Sequence, residues 1–350
     1  MIRAISLFFF AVVFAFISFA TRSANDSAAS VAAGGIVLKQ ESRISIQKER
    51  LTISKHKITV EYEFSNDSAD DVTTEVAFPI PKFGCEYYCD ESVIARFHLW
   101  VDGNEAQYER QVRATVKDQD YTAELNKLGI DIASFGHFGR PDARSKDYQV
   151  VKLPTTDISK LVQLGLLDEK GFAPKWTVDE MFHWKQIFSA HKLTHIRHEY
   201  QPATGYSPMT AGDLAKLANQ EDLDANMHED EVAFLKDVAE RSCVEPSLAN
   251  SIKKMVAEQH KDEKDLNPLD DVEFGMSWAD YILTTANSWK GPIRDFTLVV
   301  ERPDDAMDKT RHYLSFCWDS PVRRLDANHF EAKAINFVPK KELRVAYFDF

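Results

Sequence analysis

Four histidines crowd one stretch of the chain: His183, His191, His195 and His198. Imidazole is the commonest metal ligand, so His183, His195 and His198 are the candidates for a metal-assisted hydrolytic centre. Strand geometry works against the set. Residues three apart on a strand point to opposite faces, so His195 and His198 diverge, while His183 and His195 could meet across a hairpin. No Asp or Glu is placed beside them, and packing or solvation is the preferred reading; no metal and no cofactor are expected. Asp222, Asp224 and Asn226 have the one-three-five spacing of a calcium loop. Met227 stands where that loop needs glycine and Ala233 where it needs a bidentate glutamate, so the segment reads as an acidic lead-in to a helix. There is no G-x-S-x-G, H-E-x-x-H or P-loop pattern, and no catalytic residue is assigned. The carboxylate pairs Asp70-Asp71 and Asp270-Asp271 sit in turn-like contexts, whereas a glycosidase needs two carboxylates facing across a cleft. Trp100, Trp176, Trp184, Trp278, Trp289 and Trp318 could line a sugar or peptide site, with core packing the preferred reading for each.

The elements that would position these residues begin after an export signal. Arg3 precedes an apolar run from Ala4 to Ala20, and Ser18-Phe19-Ala20 gives a small-x-small exit, the pattern of a secretory signal. Residues 1–20 are therefore expected to be removed, with an alternative exit after Ala24. An uncleaved anchor is the rival, though the run falls short of the ~20 residues a spanning helix needs. The mature chain is expected to be periplasmic or secreted, without a membrane span. A formal charge of -13 repels phosphate backbones, so nucleic acid is not an expected partner.

Four cysteines, Cys85, Cys89, Cys243 and Cys317, allow three pairings. In an oxidising compartment an even count points to disulfides. The expected pairs are Cys85–Cys89, closing the GCEYYC loop, and Cys243–Cys317, tying a helical segment to a strand. Zinc is the rival, but C-x3-C is off the usual knuckle spacing and no second Cys pair follows.

Alternation of apolar and polar residues marks the strands. Ile58, Val60, Tyr62 and Phe64 form one run, and Val72, Thr74, Val76 and Phe78 another, joined by SNDSADD and read as an antiparallel hairpin. Phe97, Leu99 and Val101 give a third strand ending at the turn signal Asp102-Gly103. The expected organisation is an N-terminal β-sandwich block over 25–110, short helices and loops over 111–175, and a β-hairpin over 176–205. A helical insertion over 206–270 and a C-terminal β block over 271–350 complete it. The fold class is mainly β (α+β): antiparallel, sandwich-like strand blocks with an inserted helical segment.

The ordered segments ISIQKERLTIS, ITVEYEFSNDSADDVTTEVAFPIP, DYTAELNKLGI, WTVDEMFHWKQIFSA, ANSWKGPIRDFTLVVE and INFVPKKELRVAYF resemble a bacterial exported family, domain of unknown function 4424. The resemblance covers nearly all of the mature chain and implies one family-length unit over 25–350; it carries no activity. The stretch from about residue 45 to 130, with AFPIP and FHLWVDGNEA, is also similar to vault/inter-alpha-trypsin-inhibitor type domains, which implies a β-sandwich and transfers no function. The preferred expectation is a non-enzymatic module that binds an envelope protein or polymer, with the extracytoplasmic hydrolase as the alternative.

Overall fold

The computed structural model describes residues 26–32, 35–84, 95–134, 138, 148–202, 204–219, 221, 229–263, 267–304 and 311–350. The signal segment 1–20 with its alternative exit at 24, the Cys85–Cys89 pair and the Asp222-Asp224-Asn226 loop lie outside them.

The N-terminal part of the chain runs through β1 (Ser27–Ala32), β2 (Gly35–Leu38), β3 (Ile44–Ile53), β4 (Ile58–Asn66), β5 (Val72–Pro79) and β6 (Phe83–Gly84). It continues with β7 (Ala95–Val101), β8 (Asn104–Glu105), β9 (Glu109–Val116) and β10 (Gln119–Asp120). Helices α1 (Thr122–Lys127) and α2 (Thr155–Gln163) follow, then β11 (Thr177–Phe188), β12 (Leu193–Gln201) and β13 (Thr204–Thr210). Next come α3 (Ala211–Ala218), α4 (Glu229–Arg241), α5 (Pro246–Gln259) and the single turn α6 (Pro268–Asp271). The chain closes with β14 (Glu273–Tyr281), β15 (Ile293–Glu301), β16 (His312–Phe316), β17 (Arg323–Arg324), β18 (His329–Phe337) and β19 (Leu343–Asp349).

Three sheets result. An eight-stranded sheet has the order β17-β18-β15-β3-β4-β12-β7-β8. A seven-stranded sheet has the order β10-β9-β11-β5-β1-β2, with β6 beside β11, and a four-stranded sheet has the order β13-β14-β19-β16. All the pairs are antiparallel except β3 with β15. One core is shared by all three: Val60 and Phe64 of the eight-stranded sheet pack with Phe78 and Trp184 of the seven-stranded sheet and Tyr281 and Tyr347 of the four-stranded sheet. The seven- and four-stranded sheets thus both cover the inner face of the eight-stranded sheet. The far face of the four-stranded sheet carries Phe274, Trp278 and Phe348 into a second core against Leu214, Val238 and Ile252 of α3, α4 and α5. A third core gathers Trp176 and Val178 with Leu125 of α1 and Leu161 of α2.

Two sequence expectations are corrected. The runs at 58–64 and 72–78 are not a hairpin: β4 pairs with β3 and β12, while β5 pairs with β1 and β11. The expected hairpin over 176–205 is absent in the same way, because β11 lies in the seven-stranded sheet and β12 in the eight-stranded one. Both connections cross between layers. Alternation reports that one face of a strand is buried; it says nothing about which strand lies beside it. The two crossings stack on each other through Asn66, which is fully buried. Its Nδ2 donates to the carbonyls of Phe188 (2.8 Å) and Asp70 (2.9 Å), and its Oδ1 accepts from the Ser68 backbone (3.0 Å) and hydroxyl (2.6 Å).

The helical layer is fastened to the four-stranded sheet twice. Cys243, just past α4, is bonded to Cys317, just past β16. Arg344 of β19, its side chain 6% exposed, donates from Nε and Nη2 to the two carboxylate oxygens of Asp280 (2.7 Å each) and from Nη1 to Asp237 of α4 (3.0 Å).

Candidate functional site

In β3 the apolar positions change parity, from Ile44 and Ile46 to Leu51 and Ile53. The pairing of β3 with β4 slips between Ile46 and Lys48. This is a β-bulge, one extra residue that flips everything after it to the opposite face. Lys48 and Arg50 are therefore thrown outward and Glu49 inward, where it is 1% exposed.

The outward side chains assemble in cross-strand rows. The register sets Asp295 of β15, Lys48 of β3, Glu63 of β4 and His195 of β12 side by side. The next row is Thr297, Arg50, Glu61 and Arg197, and it runs on to Trp100 of β7. Together they line an open trough of about 620 Å³ across five strands. The Asp102-Gly103 turn closes one end; both residues take positive φ (49° and 80°), and Asp102 Oδ1 accepts the His195 backbone N–H at 2.8 Å. Within the trough Lys48 Nζ lies 3.0 Å from Glu63. Arg197 lies over the Trp100 ring at 4.5 Å, a cation–π contact, and His98 stacks on the same indole at 5.7 Å. Trp100 and Glu199, whose carboxylate accepts from Arg197 Nη2 at 2.5 Å, together hold Arg197 in place. The side chains of Arg50, Glu61, His195 and Asp295 make no hydrogen bond or ion pair with any described residue.

Beneath this floor, on the inner face of the same strands, lies a buried polar cluster. Asp26 and His198 are both fully buried, with Oδ2 and Nε2 3.3 Å apart. The Asp26 carbonyl accepts from Trp289 Nε1 (2.6 Å), its N–H points to Tyr62 Oη (3.4 Å), and Tyr62 and Tyr281 hydroxyls lie 3.4 Å apart. Burial pushes the Asp26 carboxyl up, and the nearby His198 offsets part of that rise. Burial also pushes the Tyr62 and Tyr281 phenols well up, and the charge of Glu49 adds to it.

A raised carboxyl means that the folded protein holds a proton the unfolded chain has released. Stability contributed by Asp26 is therefore lost as pH rises through its folded value, and it is regained on acidification. Wild type is expected to gain stability relative to Asp26→Asn as pH falls toward the ordinary carboxyl value of 3.8, read as urea midpoints of both proteins at each pH. An unchanged or widening deficit for wild type on acidification would contradict this account.

The three histidine candidates fall in three places. His195 lies in the trough, His198 in the core, and His183 on the outer face of the seven-stranded sheet, its Nδ1 2.7 Å from Glu75 Oε1. No group of three or more His, Cys, Asp or Glu able to hold a metal occurs among the described residues. Trp176, Trp184, Trp278 and Trp289 are buried; Trp100 and Trp318 are half-buried, and Trp100 alone of the six lines the trough. The residues that make up the site, Lys48, Arg50, Glu61, Glu63, Arg197 and Asp295, were not singled out from the sequence. The one available signal was the parity change within ISIQKERLTI.

Fold and site together define a mainly β protein with one sheet face left open, polar and concave. The chain belongs to the family described as "Domain of unknown function (DUF4424)", which matches residues 24–346. No curated protein matches it. Among solved structures it is similar to one described as a "putative nutrient binding protein" from Legionella pneumophila subsp. pneumophila str. Philadelphia 1, at 12% identity and a TM-score of 0.37, over 88% of this chain and 68% of that one. It is also similar to an M1 zinc metallopeptidase from Deinococcus radiodurans, at 6% identity and a TM-score of 0.25, over 88% of this chain and 43% of the peptidase, less than half its length. Likenesses this distant carry no statement about ligand or reaction.

Proposed function

We propose that this protein is an exported, non-enzymatic binding module and that it holds an envelope partner in the trough of the eight-stranded sheet. The observation that carries the reading is the set of four charged or polar side chains, Arg50, Glu61, His195 and Asp295, that make no hydrogen bond or ion pair among the described residues and face an open floor of paired strands. A site built on paired strands is pre-organised, so little ordering entropy opposes binding. The export signal over 1–20 supports an extracytoplasmic setting, and among the described residues no helix is long and apolar enough to cross a membrane.

The test is a photo-cross-linking amino acid placed at position 195, whose side chain is exposed and whose role in the fold is carried by its backbone. In intact cells it is expected to capture one predominant species, and the same probe at exposed Lys254 of α5 is expected not to. Equal yields at the two positions would sink the proposal.

A further inference from the structure

Resting on the trough reading, we infer that its occupant is a linear, β-linked glycan lying across the strands, about one ring to each strand spacing.

Three features point there. The exposed charges of the trough balance: Lys48, Arg50 and Arg197 against Glu61, Glu63 and Asp295. A balanced, mixed-sign surface gives no net attraction to a polyanion or a polycation, and it suits a neutral ligand rich in hydroxyls. The free groups are also of the right kind. A guanidinium presents planar paired donors and a carboxylate planar paired acceptors, and each geometry matches the adjacent hydroxyls of a pyranose. Arg50 and Glu61 face each other in register, with Cβ atoms ~5 Å apart by strand geometry. They thus offer the donor fork and the acceptor fork side by side.

The third feature is the repeat. Neighbouring strands stand ~4.8 Å apart, comparable with the advance of one pyranose along an extended β-linked chain. The rows from β15 through β3, β4 and β12 to β7 therefore repeat at sugar spacing. Four intervals give a span of about 19 Å, so about four rings fill the trough. An extended peptide advances ~3.4 Å per residue with alternate side chains on opposite sides, and it does not keep step with these rows. Trp100 has its ring engaged by Arg197 and His98, so recognition here runs through hydrogen bonds, and Trp100 acts as a positioning residue for Arg197.

The experiment titrates the purified full chain with a ladder of neutral β-linked glucose and N-acetylglucosamine oligosaccharides, from disaccharide to hexasaccharide, by calorimetry and ligand-observed NMR. Extended peptides of mixed charge serve as comparators. At least one glycan series is expected to bind, with affinity rising up to about four rings and then levelling. Arg50→Ala and Glu61→Ala are each expected to weaken it by about ten-fold, and Lys254→Ala to leave it unchanged. Because the contacts are hydrogen bonds to hydroxyls, neutral glycans should lose little affinity on raising salt. Failure of every glycan to bind would overturn the glycan assignment. If the peptides then bound in an Arg50- and Glu61-dependent way, the trough itself would stand with a different occupant. If neither bound and the position-195 probe captured nothing, both readings would fall together.

Discussion

Replacing Cys243 and Cys317 together by serine is expected to lower the unfolding free energy by about 4 kcal/mol. The bond links residues 74 apart, and in the chain-entropy view a loop of that length is a large constraint on the unfolded ensemble. The enclosed segment contains α5, α6, β14, β15 and β16, which belong to the helical layer and to two different sheets. Breaking the bond therefore frees parts of the chain that must find three separate partners. Native contacts at the bond itself are few: Ser315 Oγ donates to the Cys243 carbonyl at 2.9 Å, and Cys317 Sγ lies 3.3 Å from the Glu240 carbonyl. Both cysteines lie outside the buried core, so serine hydroxyls reach water and add no desolvation cost. The measurement is a denaturant titration of the oxidised wild type against the double variant. A difference below about 1 kcal/mol would show that the unfolded chain is held together by other means. Opening should be local first. Amides of Leu235 and Val238 in α4 are expected to exchange faster in the variant, while those of β4 and β12 stay protected.

The Cys243–Cys317 disulfide was legible in the sequence because four cysteines allow only three pairings. The strand positions were legible as well, since one-sided burial writes an alternating pattern along β4, β5, β7 and β15. Lateral neighbours were not. A strand that turns back beside its predecessor and one that crosses to the facing sheet bury the same alternate residues. The last strand shows another limit. Leu343, Val345 and Tyr347 point into the central core, but Ala346 and Phe348 are buried too, against the helices. Its run of apolar residues is the mark of a strand with both faces covered, and alternation alone assigns it one.

The trough was less legible, for a related reason. Lys48, Arg50, Glu61, Glu63 and Arg197 are the polar partners in alternating strands, and on any one strand they read as a solvated face. They form a site only because the register of four pairings lines them up, and because a bulge in β3 puts Lys48 and Arg50 in phase with Glu63 and Glu61. The histidines illustrate the converse. Their crowding in sequence suggests a common centre, yet a layer crossing between His183 and His195, and strand parity between His195 and His198, separate all three.

The layer crossings also identify a position where one buried side chain joins two connections between the sheets. Asn66→Ala is expected to cost about 3 kcal/mol, although it removes little apolar area. The amide holds the carbonyls of Phe188, at the end of β11, and Asp70, in the β4–β5 connection, and it accepts twice from Ser68. The Asn66 backbone adds to the join, accepting from the His191 N–H at 2.9 Å and donating to the Lys192 carbonyl at 3.3 Å. Alanine leaves the Phe188 carbonyl, the buried acceptor of the set, without its side-chain donor. Asn66→Asp is a sharper version: the shape is nearly kept, but an oxygen replaces the amide nitrogen and faces two carbonyls. It should therefore destabilise at least as much as alanine at neutral pH and recover partly on acidification, as the carboxyl regains a donor. Urea midpoints of the two variants at neutral and acid pH decide the matter. If alanine costs below about 1 kcal/mol, or if aspartate is tolerated better than alanine at neutral pH, the two crossings are held together by packing of Phe64, Phe188 and Trp289, and the amide is incidental.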